Sequence, residues 1–500
     1  MTILSSRPQQ AATLASLQPA GWEKWRDPSH YSSDLPLYKK AIERWVNDFK
    51  FRDRYEANPS ESLRSKGFIC EPLDLDIIID PEIAKTYAPG SSELPILPAQ
   101  YRQFINTKKQ HCLEIRDIHP QHQKWAAWRH RMVASTFWRD SPHKHAKLVH
   151  APFSIELTRG CTVGCWFCGV DAEKYQGHVE INGKTEAIWR SLLTSLRSVA
   201  GIDAAQHGFC YWATDPLDHP DYEWFLEEFH SILNYWPQTT TAQGLKHAPR
   251  MKRLFATIKE KRAFIQRFSM TRSTDFDAIH DYFTPEELFL CELIPQYDDR
   301  LSKKATAGRV RKLVLNKKQQ NKPIPFYYNL ESTGSIACVS GFLGNLVQQS
   351  LKLITPCEAS DRWPLGYRIL DERHFDDPNE IETLLLDMLD KSLNDRLMPT
   401  DTLTPFRGVK FSASDSETLC LSKFGYSWSI PGVGYAPQLA ELLSSGSITV
   451  NEICAERSKM GVDPIQTCLT LTRLFNQGIF DEQLIDDDRA ASRHGLNLQP

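Results

Sequence analysis

The run "IELTRGCTVGCWFCGVDA", residues 155–172, constrains this chain more than any other stretch, because Cys161, Cys165 and Cys168 fall within eight residues. A short apolar stretch precedes them, and Gly160, Gly164 and Gly169 lie beside them. Nine further cysteines are scattered singly, at 70, 112, 210, 291, 338, 357, 420, 454 and 468. In a chain without an export signal they read as reduced thiols rather than a disulfide framework. Most of the scattered ones are expected to be inert, buried small hydrophobes.

A structural zinc site wants four ligands, commonly as two close pairs a dozen or more residues apart. Here three thiols share one loop, no second pair lies at such a distance, and nothing in the spacing singles out His178 as a fourth ligand. A [4Fe–4S] cube fits better. It normally takes four thiolates; three close ones ligate three irons and leave the fourth iron open to a small molecule. The flanking glycines let the backbone wrap a cube closely, and Trp166 and Phe167 can shield it from water. Zinc and unligated redox thiols stay open as alternatives at this point.

A length of 500 residues exceeds one compact core, so two to four domains are expected. The hydrophobic fraction of 41%, the charged fraction of 24% and a net charge of -3 are those of an ordinary soluble protein. They give no reason to expect nucleic acid or an anionic membrane as a partner. No apolar run approaches the roughly 18 residues of a transmembrane helix, and the N-terminus does not read as a signal peptide. A cytoplasmic location is expected.

Residues 1–150 read as mostly helical, with an apolar stripe at Ile42, Trp45, Val46 and Phe49 and a new helix starting near Ala99 or Gln100. The stretch from His119 to His150 is rich in His, Lys and Arg, with Asp140 its only acid. It is either a solvated helix face plus a loop, or a surface for an anionic ligand or an extended acidic peptide. From Ala151 short strands alternate with helices, the strands falling in "FSIELT", "GFCYWA", "TTTAQ", "FIQRFSMT", "ELFLCELIP" and "TGSIACV". A helix is expected after the last of these, in "GFLGNLVQQSLKLI". Such units imply a parallel sheet with right-handed crossovers. About six of them fit a partial or full β/α barrel over residues 151–400, with functional groups at the C-terminal strand ends. A third module, 405–485, reads as paired strands in "ETLCLSKFGYSWSI" and then three helices stopped by Gly446, Gly461 and Gly478. The expected fold class is α/β.

A C-x3-C-x2-C loop after the first strand of a β/α series resembles the radical S-adenosylmethionine (SAM) superfamily. The resemblance implies a TIM-like partial (β/α)6 barrel with a [4Fe–4S] cluster held by Cys161, Cys165 and Cys168. It also implies S-adenosyl-L-methionine chelated on the open iron and cleaved by an electron from the cluster, giving methionine and a 5′-deoxyadenosyl radical. Family members often bind the SAM amino group through Gly-Gly-Glu after the second strand. Here that place reads "YWATDPLDHPDY", a departure that leaves Thr214 and Asp215 as candidates, with helix capping as the other role for Asp215 and Asp218. In the fourth strand the period of two sets Arg267, Ser269 and Thr271 on one face. Arg267 is a candidate for the SAM carboxylate, Ser269 for the ribose, and Gln296, near the fifth strand, for a further contact.

The C-terminal segment resembles the RiPP recognition element, the winged-helix-like module that captures leader peptides of ribosomally made, post-translationally modified peptides. The likeness rests on the strand pair, "LAELLSSGSITVNEICAERSKMGVDP" and "TLTRLFNQGIF"; a generic winged helix is the alternative. It implies an extended leader adding as a strand to an exposed sheet edge. Residues 40–375 resemble the radical SAM peptide epimerases of proteusin pathways, on "GCTVGCWFCG", "YWATDPLDHPDYEWF", "IACVSGF" and "TPCEASDRWPLGY". Those enzymes invert L residues of a precursor peptide to D. The implied partners are the precursor, leader and core, and a reductant protein such as flavodoxin or ferredoxin. Inversion needs a hydrogen delivered to the planar Cα radical from the opposite face, and a cysteine thiol suits that step because its S–H bond is weak. Cys357, which follows a proline, is the first candidate; Cys338, near the end of the predicted sixth strand, is the second. Two alternatives stand beside this reading. One is a radical SAM enzyme forming thioether or carbon–carbon cross-links, disfavoured by the lack of a second close cysteine group; the other is a non-catalytic Fe–S peptide-binding protein.

Overall fold

The computed structural model describes residues 21–87, 93–298, 302–324 and 334–482. In the N-terminal region helix α1 (Leu35–Asn47) buries Leu35, Tyr38, Ala41 and Ile42. The expected stripe is corrected here. Val46 is exposed, and Phe49 opens a separate helix because Asp48 caps Phe51 N–H and breaks the run. Helix α2 (Ile96–Asp117) starts ahead of Ala99, since Pro98 fits the first turn, where an N–H has no partner to lose. Helix α3 (Gln123–Arg139) sends Trp125, Trp128 and Met132 into the central core and Trp138 into the C-terminal one. Neither expectation for the basic stretch describes its arginines: Arg129, Arg131 and Arg139 are buried. Arg129, for one, donates to the carbonyls of Arg116, Ile118, Val149 and His150.

The central region runs β1 (Ala151–Glu156), α4 (Gly183–Ala200), α5 (Tyr222–Leu233), β2 (Thr240–Thr241), α6 (Ala248–Glu260), β3 (Gln266–Met270) and β4 (Cys291–Pro295). It continues through α7 (Gly308–Gln319), β5 (Val339–Asn345), β6 (Ser350–Pro356), β7 (Tyr367–His374) and α8 (Ile381–Ser392). Asn182 caps α4 through the N–H groups of Lys184 and Thr185. Its apolar face, Trp189, Leu192 and Leu196, packs with α5, α6, α8 and the strands into the largest core. Strands β2, β3 and β4 form one parallel ladder, with Thr240 opposite Arg267 and Arg267 opposite Glu292. β1 pairs in parallel with β5, and β6 and β7 extend that sheet antiparallel.

The expected second strand is reduced to a single bridge between Ser154 and Phe209. Beyond it, side chains replace the ladder: Ser154 Oγ donates to Tyr211 O (2.5 Å) and Glu156 Oε1 accepts from Ala213 N–H (2.7 Å). The architecture is thus mixed α/β, 47% helix, with several small sheets, and no closed barrel forms among the described residues.

The helix expected in Gly341–Ile354 is instead the β5–β6 hairpin. Its apolar residues suit either period; pairing with β1 decides, and the chain reverses at Leu346–Gln349, with Gln349 left-handed at φ 48°. The sixth strand begins at Val339, so Cys338 precedes it rather than lying near its end; Thr333 of the expected strand lies outside the described residues. The C-terminal module has the expected strand pair, β9 (Leu419–Lys423) and β10 (Tyr426–Ile430), with β8 (Lys410–Ala413) added at one edge. Helices α9 (Ala436–Ser444), α10 (Val450–Ser458) and α11 (Pro464–Asn476) follow. They enclose a separate core of Leu439, Leu443, Ile453, Leu471 and Leu474. Residues 1–20 and 483–485 of the expected modules lie outside the described residues. Among the described residues no helix is long and apolar enough to cross a membrane.

Candidate functional site

The cysteine loop leaves β1 through an anchored end. Glu156 accepts from Ala213 N–H and from Asn345 Nδ2 (3.1 Å), and burial pushes its carboxyl up to about 7. Asn345 Nδ2 also donates to Thr158 O (3.3 Å). Thr158 and Arg159 then pair with His178 and Gly177, and Cys161 N–H donates to Glu173 O (2.9 Å), so the loop folds back on itself. Gly160, at φ +76°, lies against the Lys174 carbonyl, where no side chain fits.

Cys161, Cys165 and Cys168 are half-buried and carry no disulfide. Backbone N–H groups of Val163 and Gly164 donate to Cys161 Sγ, and Ala172 N–H donates to Cys168 Sγ (3.3 Å). Hydrogen bonds of this kind orient and tune cluster thiolates. Burial pushes the Cys161 and Cys165 thiols up to about 11. Among the described residues no three His, Cys, Asp or Glu side chains converge as a single-ion site. A zinc site needs that convergence. A cube instead takes one thiolate per iron, and three free thiols on one loop are the donor chemistry it uses. His178 is engaged elsewhere, with Tyr175 Oη at 2.6 Å.

A strut from a distant helix holds the loop, and sequence reasoning missed it. Arg309 donates its backbone N–H to Cys168 O (2.9 Å) and Nη1–H to Cys165 O (2.7 Å), and it pairs with Asp171 (3.3 Å). Gly308, at φ +54°, brings the start of α7 so close that a Cβ there would lie 2.5 Å from the Cys168 and Gly169 carbonyl oxygens. Arg309 stands 144 residues beyond Cys165 in the chain, and nothing local marks it or Gly308.

The segment after the bridge at Phe209 ties the loop to the second sheet. The Thr214 hydroxyl bonds that of Thr158. Asp215 accepts from Leu217 N–H (3.1 Å) and Thr241 Oγ1 (2.8 Å) on one oxygen and from Ala242 N–H (2.8 Å) on the other. It therefore caps the single turn Pro216–Asp218 and fastens it to the end of β2; burial pushes its carboxyl up to about 6. Asp218 accepts from Thr162 N–H (2.9 Å), Thr162 Oγ1 (2.5 Å) and Gln243 Nε2 (2.7 Å). Asp218 and Gln243 thus join the cysteine loop to the residues after β2, a role the sequence reading did not assign them.

Beyond the C-terminal ends of β2 and β3 opens a cavity of about 170 Å³, lined by Thr241, Gln243, Lys246, Ser269, Thr271 and Arg272 among others. Small-molecule pockets run to roughly 300–1,000 Å³, so this cavity is smaller than one that encloses a whole small molecule. Ser269 and Thr271 line it, but so do Phe268 and Met270 from the other face of the strand. Arg267 does not line it. Nε–H donates to Glu292 Oε2 (2.9 Å) and Nη1–H to Gln238 Oε1 (3.0 Å). The partner that a strand arginine needs is thus a carboxylate directly opposite on β4. Against the effect of burial, Arg267 and Lys108 hold the Glu292 carboxyl down at about 2. Gln296 follows β4, donating its N–H to Met270 O (2.8 Å).

The two lone-cysteine candidates have different surroundings. Cys338 packs against the same apolar cluster as Cys168, Tyr211 and Trp212, and the Arg267 charge reaches it. Cys357 is buried between Arg368 and Arg139, with Asp481 of the C-terminal module nearby. Burial pushes both thiols up to about 11.

A protein of Sinorhizobium fredii (strain NBRC 101917 / NGR234), described as uncharacterized protein y4wI, is 32% identical over 466 residues, covering 91% of this chain and 89% of that protein. No family model matches the chain, and no solved structure matches it.

Proposed function

The chain belongs to the y4wI family, and we propose that it is a radical SAM peptide epimerase converting L to D residues in a ribosomally made precursor. By this reading the described residues of 1–150 are a helical N-terminal region, those of 151–400 a partial (β/α)6 barrel, and those of 405–485 a leader-binding recognition element. The observation that carries the reading is the cysteine loop itself. Three thiols with backbone N–H groups aimed at two of them are braced by Arg309 and joined through Asp218 and Gln243 to the cavity beyond β2 and β3. When bound, a [4Fe–4S] cluster and SAM supply a radical able to remove an unactivated hydrogen.

The chain's own residues do the rest. Cys161, Cys165 and Cys168 hold the cluster, and the N–H groups of Val163, Gly164 and Ala172 orient the sulfurs. Ser269 and Thr271 receive the ribose side of SAM. Arg267 has more guanidinium N–H groups than it gives to Glu292 and Gln238, and these serve the SAM carboxylate; Gln296, beyond the end of β4, makes a further contact. Thr214 and Asp215 fix the approach of the loop to β2. In the C-terminal module β10 is an edge strand, and Ile465 and Leu469 on α11 are 68% and 62% exposed. A leader strand adds to the edge of β10, and Ile465 and Leu469 offer apolar surface elsewhere on the module. Cys357 delivers the hydrogen from the opposite face, with Cys338, which packs on the same apolar cluster as Cys168, as the second candidate.

The test is reaction with a cognate precursor in heavy water, with SAM and a reductant such as flavodoxin or ferredoxin. Each D residue is expected to carry one deuterium at Cα. Cys357→Ala stops inversion while SAM cleavage continues; if Cys338→Ala does so instead, Cys338 is the donor. A mass loss of two without label points to cross-linking instead. No 5′-deoxyadenosine at all points to a peptide-binding protein without radical chemistry.

A further inference from the structure

Residues 302–324 hold eight Lys and Arg and no Asp or Glu, in a chain whose net charge is -3. They build α7 and its approaches, and α7 starts on the cysteine loop. Gly308 and Arg309 touch the carbonyls of Cys165 and Cys168, and Phe167 packs against Val310 and Val314. Trp166, between Cys165 and Cys168, is 48% exposed, so the loop reaches the surface beside the helix. The cations near the start of α7 are engaged: Arg309 and Lys312 pair with Asp171, and Arg311 with Asp361. Those near its end are not. Lys317, Lys318 and Lys322 have no acidic partner among the described residues, and Lys318 and Lys322 are exposed. A 12-residue helix spans ~18 Å, which keeps Lys317 and Lys318 within one helix length of the loop.

We infer that this basic end of α7, within about one helix length of the loop that carries Trp166, is the docking surface for an acidic one-electron donor protein of the flavodoxin class, delivering electrons to a cluster on the loop. The inference rests on the reading proposed above. Charge complementarity chooses the occupant. An unpaired cationic face steers an acidic partner to one side of a molecule that otherwise repels it, and such steering falls off with salt over a screening length of about 8 Å at physiological ionic strength. A nucleic acid would need a longer cationic track than one helix end on a net-negative chain.

The experiment measures binding of oxidised flavodoxin to the full chain by calorimetry at two salt concentrations, and flavodoxin-driven against dithionite-driven cleavage of SAM. The variant is Lys317→Glu, Lys318→Glu and Lys322→Glu together; the control moves the same charge change to Lys109, Lys184 and Lys259. The triple variant is expected to bind flavodoxin at least tenfold more weakly than the parent and to lose the salt dependence. Its iron content and dithionite-driven cleavage stay at the parent level, and the control binds as the parent does. Equal flavodoxin binding by triple variant and parent overturns the docking surface. So does a parent that prefers a duplex oligonucleotide to flavodoxin. A parent that takes up no cluster overturns the reading beneath it, and the iron assay registers that outcome separately.

Discussion

A methyl group at Gly308 has nowhere to go. The backbone there is left-handed, which costs an L side chain about 1–2 kcal/mol, and the new carbon would stand 2.5 Å from two carbonyl oxygens of the cysteine loop. Both are backbone atoms, so the loop or the helix start must move, taking Arg309 with it. Gly308→Ala is therefore expected to lower iron per chain after reconstitution to less than half of the parent value, with far-UV circular dichroism unchanged. Full iron loading in that variant would mean that α7 is not needed to shape the loop. The contrast with the cysteines explains what could be read at this scale. Cys161, Cys165 and Cys168 announce themselves because their chemistry and spacing are local. Arg309, Asp218 and Gln243 matter only through contacts that the fold creates, so single residues of common type gave no signal.

At the scale of elements, the C-terminal module is held by a buried charge. Arg457 on α10 is wholly buried and donates to the carbonyls of Val433 (2.7 Å) and Gly434 (2.6 Å) and to Thr467 Oγ1 (3.1 Å). It thereby clamps the turn between β10 and α9 to α10 and α11. Arg457→Met keeps the bulk but leaves those carbonyls without donors, at a cost of about 3 kcal/mol. The expected result is a lower unfolding midpoint for this module and at least tenfold weaker binding of a leader peptide. SAM cleavage without peptide should persist at the parent rate; its loss would show that the module supports the central region directly. The strands and helices of this module were legible because glycines punctuate them: Gly446, Gly461 and Gly478 all have positive φ. The β5–β6 hairpin was not. Its apolar residues satisfy a helical period as well as a strand period, and only pairing with β1, almost two hundred residues earlier in the chain, decides between them.

Across the whole molecule, α3 belongs to two cores at once, and no boundary drawn at residue 150 or 400 respects that. Its first half fills the central core with Trp125, Trp128 and Met132, while Trp138 is buried in the C-terminal core. Phe137 packs edge-on against Phe424, Tyr426 and Trp428. Charges cross the same seam. Arg131 pairs with Glu482 through two hydrogen bonds, and Arg368 with Asp481 at 2.7 Å. A chain ending at residue 400 keeps every residue of the central core yet strips the partners from Phe137 and Trp138, exposing a contiguous aromatic patch of the kind that drives association. Such a truncated chain is expected to elute as oligomers by size-exclusion chromatography with light scattering. Phe137→Ser with Trp138→Ser in the truncated chain should return it to the state of the full chain, because only the patch and not the central core is at fault. A truncated chain that matches the full chain in association state and unfolding midpoint would show that α3 is shared in contact but not in energy, and the modules would then be separable at residue 400.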